Sequence, residues 1–314
     1  MMYQDIAPLA QRIRQNIQKV IIGKEKEIEL VLAALVCGGH VLLEDVPGTG
    51  KTTLAKALAR SINGGFARVQ FTPDLLPADV TGTRVFRQQT GDFEFIRGPV
   101  FTNILLADEI NRATPRTQSA LLECMEERQV SDGGTTYALS APFLVIATQN
   151  PVETQGTFPL PEAQLDRFLI RISLGYPTAA EALQMMQRFR AQSPLAQLEA
   201  VAQMEELAQA GQLYASCEVS EPVMHYIAAL CEAARDPGRV RLGPSPRAML
   251  SLMRAVQALA AVRGRDYVIP DDVKELAVPV LCHRMVMRGM HGQSARSFLE
   301  EALAQLPVPT EEAL

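Results

Sequence analysis

Continuous apolar runs and amphipathic stretches alternate along the first 175 residues. The continuous runs are typical of strands buried in a parallel sheet, and they cover residues 41–44, 103–109 and 143–148. Residues 67–71 and 169–174, in which polar residues interrupt the apolar ones, are interpreted as two further strands. Between the runs, apolar residues recur every three or four positions, which predicts helices over residues 6–17, 24–36, 51–62 and 115–128. An α/β fold with a parallel central sheet flanked by helices is therefore expected.

Two further segments alternate apolar and polar residues around a glycine turn, as β-hairpins do. They cover residues 83–96, around Thr90-Gly91-Asp92, and residues 129–139, around Asp132-Gly133-Gly134. The first hairpin interrupts a segment that begins like a helix. It is either a moving part of the protein or a surface ribbon packed on its own subunit.

From residue 178 onward the pattern is helical. Gly175-Tyr176-Pro177 forms a linker between two expected domains, residues 1–175 and 176–314. Thr178 and Glu181 have the spacing of a capping box, which opens the second domain. Helices are expected over residues 178–191, 198–210, 221–234, 246–261 and 270–287, which makes this domain all-α.

The turn after the first predicted strand carries a phosphate-binding pattern. It reads DVPGTGKT over residues 45–52, with Asp45 in place of the usual first glycine. In such a turn, backbone N–H groups at the helix N-terminus cradle phosphates, the lysine reaches the β- and γ-phosphates, and the threonine hydroxyl holds Mg²⁺. The residues predicted to bind a triphosphate are Pro47, Gly48, Thr49, Gly50, Lys51, Thr52 and Thr53.

Polar side chains end two other buried strands. Asp108 and Glu109 close the run at residues 103–109, and Asn150 follows the run at residues 143–148. The carboxyl ends of parallel strands face the crevice in which the phosphate turn also lies. We expect Asp108 to complete the Mg²⁺ shell with Thr52 and Glu109 to polarise an attacking water. The Asn150 amide would hydrogen-bond the γ-phosphate or that water.

Two features outside these strands are also candidates for ligand binding. The apolar triplet Ile21-Ile22-Gly23 lies shortly before the phosphate turn, and it either walls an adenine ring or packs in the core. Arg247 lies in the first turn of a predicted helix, where a cation opposes the helix dipole. An anionic ligand from the other domain would give this arginine a function.

Composition and charge narrow the classes of partner and compartment. The formal net charge of −5 lowers the expectation of nucleic-acid binding, although a local basic patch would permit it. The five cysteines are scattered and never form a C-x-x-C pair, which is typical of a reducing compartment. Neither a signal peptide nor a membrane-spanning run is recognisable, so we expect a cytoplasmic protein with no membrane partner.

Taken in chain order, the phosphate turn, the Asp-Glu strand end, the Asn strand end and a helical domain with its own arginine resemble an AAA+ ATPase module. Longer segments narrow the resemblance to the MoxR family, and it extends over almost the whole chain. These segments are LLEDVPGTGKT (42–52), FTPDLLPADVTG (71–82), LLADEINRATPRTQSALLECMEERQV (105–130), IATQNPVETQGTFPLPEAQLDRF (146–168) and LGPSPRA (242–248).

The resemblance implies a role for each candidate residue. Lys51 and Thr52 would belong to Walker A, Asp108 and Glu109 to Walker B, and Asn150 to sensor 1. Arg247 would be sensor 2, and Arg167 would be an arginine finger that reaches the nucleotide of a neighbouring subunit. ATP with Mg²⁺ would then bind between the subunits of a ring, usually a hexamer, formed from AAA+ cores and α-helical lids.

The resemblance also implies a chaperone-like remodeller that helps to mature or activate other protein complexes. A von Willebrand factor A domain protein would be a partner, beside a client complex. Two other functions stay open from the residues alone. Arg84, Arg87 and Arg97 near the first hairpin permit a nucleic-acid motor or loader, and a nucleotide-controlled scaffold with negligible turnover is the third reading.

Overall fold

The computed structural model describes residues 1–89, 91–152, 156–190, 193–289 and 294–309. Two sequence-based expectations, the turn residue Thr90 and the helix end at Ala191, lie outside the described residues. None of the helices within these ranges combines the length and hydropathy needed to span a bilayer.

The predicted strands and helices of the first 175 residues are present, with ends that differ by one or two residues. The helices are α1 (Ile6–Gln18), α2 (Glu25–Val36), α3 (Lys51–Ser61), α4 (Pro77–Thr81), α5 (Pro115–Glu127) and α6 (Glu162–Leu165). The strands are β1 (Val41–Glu44), β2 (Phe66–Gln70), β3 (Gly82–Arg87), β4 (Asp92–Arg97), β5 (Ile104–Asp108), β6 (Gln129–Asp132), β7 (Thr135–Ala138), β8 (Leu144–Gln149) and β9 (Ile170–Ile172).

Five of these strands form the central sheet, in the order β2-β5-β8-β1-β9, and every pair in it is parallel. The predicted parallel sheet is therefore confirmed. The pairing sets Gln70 opposite Asp108 and Glu44 opposite Gln149, so the carboxyl ends of these strands meet at one edge. The two predicted hairpins are also present, as the antiparallel pairs β3–β4 and β6–β7.

The sheet separates two hydrophobic cores, which explains its unbroken apolar runs. In β5, Ile104 and Leu106 pack in the core that contains α1, α2 and α3, whereas Leu105 and Ala107 pack in the core that contains α5. Successive side chains of a strand point to opposite faces, so both sets must be apolar.

The second part is mainly helical, with α7 (Ala179–Phe189), α8 (Met204–Leu213), α9 (Glu221–Ala233), α10 (Pro246–Val262), α11 (Pro270–Leu281) and α12 (Ala295–Gln305). The all-α expectation is not met, because β10 (Val240–Leu242) pairs antiparallel with β11 (Val286–Met287). The helix expected over residues 270–287 ends at Leu281, two residues after Pro279, which has no N–H to donate. Strands of two or three residues are too short to show a period.

The N-terminal helices pack against the second part of the chain. Residues of α1, α2 and α10 belong to one continuous hydrophobic core. Polar contacts cross the same boundary: the Tyr3 hydroxyl donates to the Arg265 carbonyl at 2.7 Å, and Arg263 pairs with Glu29 at 2.7 Å. Residues 176–314 therefore share buried surface with the start of the chain.

Candidate functional site

The phosphate turn joins β1 to α3 and leaves an open concave surface. Gly48 and Gly50 have φ angles of 86° and 93°, which glycine adopts without strain. A Cβ atom added at Gly48 would have no other atom within 4 Å, so space lies in front of the turn. The turn opens directly into α3 at Lys51, where backbone N–H groups have no helical partner. This arrangement suits phosphate oxygens.

Lys51 is held at the mouth of this turn. Its Nζ donates to the carbonyl oxygens of Asp45 at 2.8 Å and Val46 at 3.3 Å. Burial lowers the pKa of Lys51, and the nearby carboxylates of Asp45, Asp108 and Glu109 oppose that shift. Two carbonyl oxygens thus hold Lys51 Nζ beside the cradle, and phosphate oxygens can take their place as acceptors.

The Thr148 hydroxyl contacts both acidic residues at the end of β5, the Asp108 carboxylate and the Glu109 backbone. It donates to Asp108 Oδ1 at 2.6 Å and accepts from the backbone N–H of Glu109 at 2.8 Å. Glu109 has a φ of 56°, a left-handed conformation that is uncommon for a residue with a side chain. Its Oε2 accepts from Gln70 Nε2 at 2.8 Å and pairs with Arg112 at 3.1 Å.

Three residues beside these carboxylates were not predicted from the sequence: Arg68, Gln70 and Thr148. Arg68 donates from Nη2 and Nε to Asp108 Oδ2, at 2.7 and 3.1 Å. Arg68 and Gln70 reach the site because β2 pairs with β5 in the register Gln70 opposite Asp108. The alternating polar residues of β2 are visible in the sequence. They indicate a contribution to the site only when the pairing of β2 with β5 is known.

A cavity of about 410 Å³ brings most of the predicted site together, within the range of small-molecule sites. Its lining residues are Pro47, Gly48, Gly50, Lys51, Thr52, Thr53, Arg68, Gln70, Asp108, Glu109, Thr148 and Asn150. The cradle and the lysine fit a triphosphate, and the oxygen donors of Thr52 and Asp108 fit Mg²⁺. The residues present are thus compatible with ATP and Mg²⁺.

Four predicted nucleotide-binding residues lie beside this cavity rather than in its lining. Thr49 is within the turn, and its hydroxyl donates to the Val46 carbonyl at 3.4 Å. Ile21 Cδ1 would be 4.0 Å from a Cβ atom at Gly50, so the apolar triplet Ile21–Gly23 approaches the turn from the N-terminal side. Ile21 is buried, while Ile22 and Gly23 are partly exposed. Their contact with adenine stays a prediction.

Arg167 and Arg247 line a different cavity, of about 200 Å³. Both are paired with Glu126 near the end of α5: Arg247 Nη2 donates to Oε1 at 2.6 Å, and Arg167 Nε lies 3.1 Å from Oε2. Neither arginine lines the cavity of the phosphate turn within the same chain. The structure therefore groups the predicted site residues into two sets.

Asp45, which replaces a glycine in the phosphate-binding pattern, faces away from the cradle. Its carboxylate is buried and accepts from Ser173 Oγ at 2.7 Å, from the N–H of Leu174 at 2.6 Å and from the N–H of Gly175 at 3.0 Å. Its φ angle is not positive, unlike those of Gly48 and Gly50, so no glycine is required there. Asp45 joins the phosphate turn to the segment that leads into the second part.

Comparisons with known proteins agree with this geometry. A model of the "ATPase family associated with various cellular activities (AAA)" matches residues 40–170, and an AAA lid domain model matches residues 232–302. The chain is similar to Chaperone MoxR1 of Mycobacterium tuberculosis, with 45% identity over 87% of this chain and 74% of that protein. It is 33% identical to Protein MoxR of Paracoccus denitrificans, over 92% and 93% of the two chains.

A solved structure of a protein from Cytophaga hutchinsonii has the same fold. It matches with a TM-score of 0.91 and 39% identity, over 98% of this chain and 97% of that one. The resemblance inferred from sequence motifs is thus confirmed by relatives matched over most of their length. The chain belongs to the MoxR family of AAA+ ATPases and is an ATP hydrolase.

Proposed function

We propose that the protein hydrolyses ATP at interfaces between subunits of a hexameric ring, each built from an ATPase core (residues 1–175) and a lid (residues 176–314). The separation of two cationic residues from the phosphate turn carries this proposal. Arg167 and Arg247 line one cavity and Lys51 lines another, so a complete site needs the arginines of a second copy. Both arginines then act in trans.

Each residue of the site has a chemical task in this reaction. Thr52 and Asp108 would hold Mg²⁺, which supplies charge neutralisation at the β- and γ-phosphates when bound. Lys51 binds the same phosphates, and Glu109 and Asn150 orient the attacking water. Ile21, Ile22 and Gly23 border the adenine, on the N-terminal side of the turn.

The arginines contribute from the neighbouring subunit. Arg167 stabilises negative charge on the transferring phosphoryl group, and Arg247 binds the same triphosphate. An arginine finger supplied in trans is typically worth on the order of 10³ to 10⁵ in rate. Assembly of the ring would therefore control turnover.

Mixing two inactive variants tests the shared site. Arg167→Ala removes the finger, and Lys51→Ala disables the phosphate turn, so neither protein alone should hydrolyse ATP. A mixed ring contains interfaces where an intact turn faces an intact finger, and phosphate release should reappear there. Differently tagged subunits must co-purify to show that mixing occurred. Co-purification without recovered activity would contradict action in trans.

We also propose that ATP turnover drives chaperone-like remodelling of a client protein complex in the cytoplasm, together with a von Willebrand factor A domain protein. The β3–β4 hairpin supports a protein client, because Phe86 and Phe93 are exposed and pack on each other with ring centroids 5.3 Å apart. Exposed aromatic residues are typical of protein-binding surfaces. The hairpins would act as levers.

A Glu109→Gln variant supplies the test of this role. It should bind ATP without turning it over and so retain its partners. Affinity purification with ATP is expected to recover a von Willebrand A domain protein, and purification with ADP should recover much less. Equal recovery in both states would contradict coupling to the nucleotide.

The arginines near the first hairpin make contacts within the chain. Arg84 pairs with Asp132 at 2.9 Å, Arg87 pairs with Glu94 at 2.6 Å, and Arg97 lies over the Phe101 ring. Their charge is thus partly compensated, which supports a protein client over nucleic acid. ATPase stimulation by DNA that weakens with salt would contradict this choice. Negligible phosphate release by the wild-type ring would instead support the scaffold.

A further inference from the structure

Glu126 is the link between the two arginines of the second cavity. It lies near the C-terminal end of α5, in the ATPase core. Arg167 follows α6 in the same core, whereas Arg247 lies in the first turn of α10, in the second part of the chain. One carboxylate therefore holds two cations from different parts of the protein, at 3.1 and 2.6 Å.

The ion pairs leave the phosphate-binding edges of both guanidinium groups available. Glu126 approaches Arg167 at Nε, and no hydrogen bond joins the terminal nitrogens of Arg167 to the described part of the chain. Arg247 uses Nη2 for Glu126, and its Nε lies 3.8 Å from Asp166. An anion reaching the cavity can therefore bind the remaining N–H groups without displacing Glu126.

The surrounding charges favour an anion. Seven charged side chains line the cavity, the arginines Arg128, Arg167, Arg247, Arg254 and Arg284 and the acids Glu126 and Asp166. Asp166 pairs with Arg284 at 2.6 Å and lies 3.8 Å from Arg247, whereas Glu126 lies 2.6 Å from Arg247. Glu126 is therefore the main carboxylate partner of Arg247 in this cavity. The hydrogen bond from Arg247 lowers the pKa of Glu126, which keeps it ionised at neutral pH.

We propose that Glu126 is a positioning residue, which orients Arg167 and Arg247 as a pair toward the triphosphate of the neighbouring subunit. This inference rests on the proposed function, because it assigns the geometry of the arginines that act in trans. Glu126 itself does not touch the nucleotide. Its effect is to place both cations before the phosphate arrives, so that their geometry is set in the free ring.

The first test is the rate of turnover after Glu126→Gln. The amide cannot pair with two cations, so kcat should fall by about tenfold or more, as expected for misplaced catalytic groups. ATP affinity, measured with a fluorescent analogue, should fall much less than kcat, because Lys51 and the phosphate turn are unchanged and supply most of the contacts to the phosphates. Glu126→Asp keeps the charge and should recover part of the rate.

Glu127→Gln is the matched control for this variant. It lies next in the same helix, is exposed, and removes an equal charge. Its turnover should equal that of the wild type. A Glu126→Gln ring with wild-type or faster turnover would overturn the inference, as would an equal loss in both variants.

Mixed rings locate the defect on one side of the interface. Glu126→Gln mixed with Lys51→Ala should regain activity, because intact turns then face intact arginine pairs. Glu126→Gln mixed with Arg167→Ala should not, since both proteins are defective on the same side. A merely structural defect would not give this pattern, and circular dichroism with co-purification checks folding and mixing.

The Arg167→Ala and Lys51→Ala mixture is the reference that separates the two proposals. If the reference regains activity and the Glu126→Gln mixture with Lys51→Ala does not, the positioning role of Glu126 is overturned and the shared site stands. If the reference fails in co-purified rings, the shared site fails, and the role of Glu126 fails with it.

Discussion

Replacing Asp45 with asparagine tests the link between the phosphate turn and the second part of the chain. The buried carboxylate accepts three hydrogen bonds, from Ser173 Oγ and from the N–H groups of Leu174 and Gly175. Asparagine has one acceptor oxygen and places an NH₂ group where a carboxylate oxygen accepts. An amide oxygen at the Oδ1 position keeps the bonds from Ser173 and Gly175, so the bond from Leu174 to Oδ2 should be lost.

The magnitude follows from the number and type of these bonds. A hydrogen bond to a charged group contributes about 1.5–3 kcal/mol, so losing one lowers the free energy of unfolding by about that amount. Asp45→Gly restores the usual glycine of the pattern, yet it should destabilise at least as much, because it removes all three. The non-positive φ of Asp45 means that glycine gains nothing in return.

Urea unfolding followed by circular dichroism measures this loss, since the chain has no tryptophan for fluorescence. Ser173→Ala is the matched control, because it removes one donor and leaves both N–H contacts. Its effect should be no larger than that of Asp45→Asn, because the carboxylate and both N–H contacts remain. Unfolding free energies for Asp45→Asn and Asp45→Gly within about 0.5 kcal/mol of the wild type would refute the reasoning.

Three further predictions concern the carboxylates and a buried histidine. Glu109→Gln should leave ATP affinity nearly unchanged while phosphate release almost stops; wild-type release would remove Glu109 from the mechanism. Thr148→Val should lower kcat by about tenfold or more, because it releases both Asp108 and Glu109, and turnover within twofold of wild type would contradict this. Burial lowers the pKa of His40 from 6.5 to about 3. The contribution of the neutral, buried His40 to the free energy of unfolding is therefore complete above pH 6.5 and is lost as the pH falls toward 3. The loss is about 1.4 kcal/mol per pH unit, so the free energy of unfolding of His40→Gln, measured with urea, should depend less steeply on pH than that of the wild type. An unchanged dependence on pH would contradict this role of His40.

The central sheet was predictable because its signal is local. A strand buried on both faces needs an unbroken apolar run, and β5 supplies one from Ile104 to Ala107. The spatial order of the strands has no such signal, since it depends on which runs become neighbours. Arg68 and Gln70 show the consequence, because they enter the site only through the pairing of β2 with β5.

The short strands of the second part were not predicted from the sequence, for a related reason. Val286 and Met287 pair with β10 across a long separation in the chain, and two residues cannot display an alternating pattern. Helical periodicity extended through this segment in the sequence, although Pro279 marks the place where α11 approaches its end. The pairing of residues 286–287 with β10 therefore determines the structure of this segment.

The two sets of residues in the proposed site, the phosphate turn and the pair of arginines, also differ in how far the sequence predicts them. Lys51 and Thr52 follow from a turn of eight residues, whose glycines and lysine serve one ligand whatever surrounds them. Arg167 and Arg247 could be nominated by resemblance, but their common partner Glu126 is distant from both in sequence and belongs to a different element. No local pattern identifies a carboxylate that acts by orienting two cations. Only the folded arrangement identifies Glu126, because it pairs with both arginines and leaves other N–H groups of each guanidinium able to bind a phosphate.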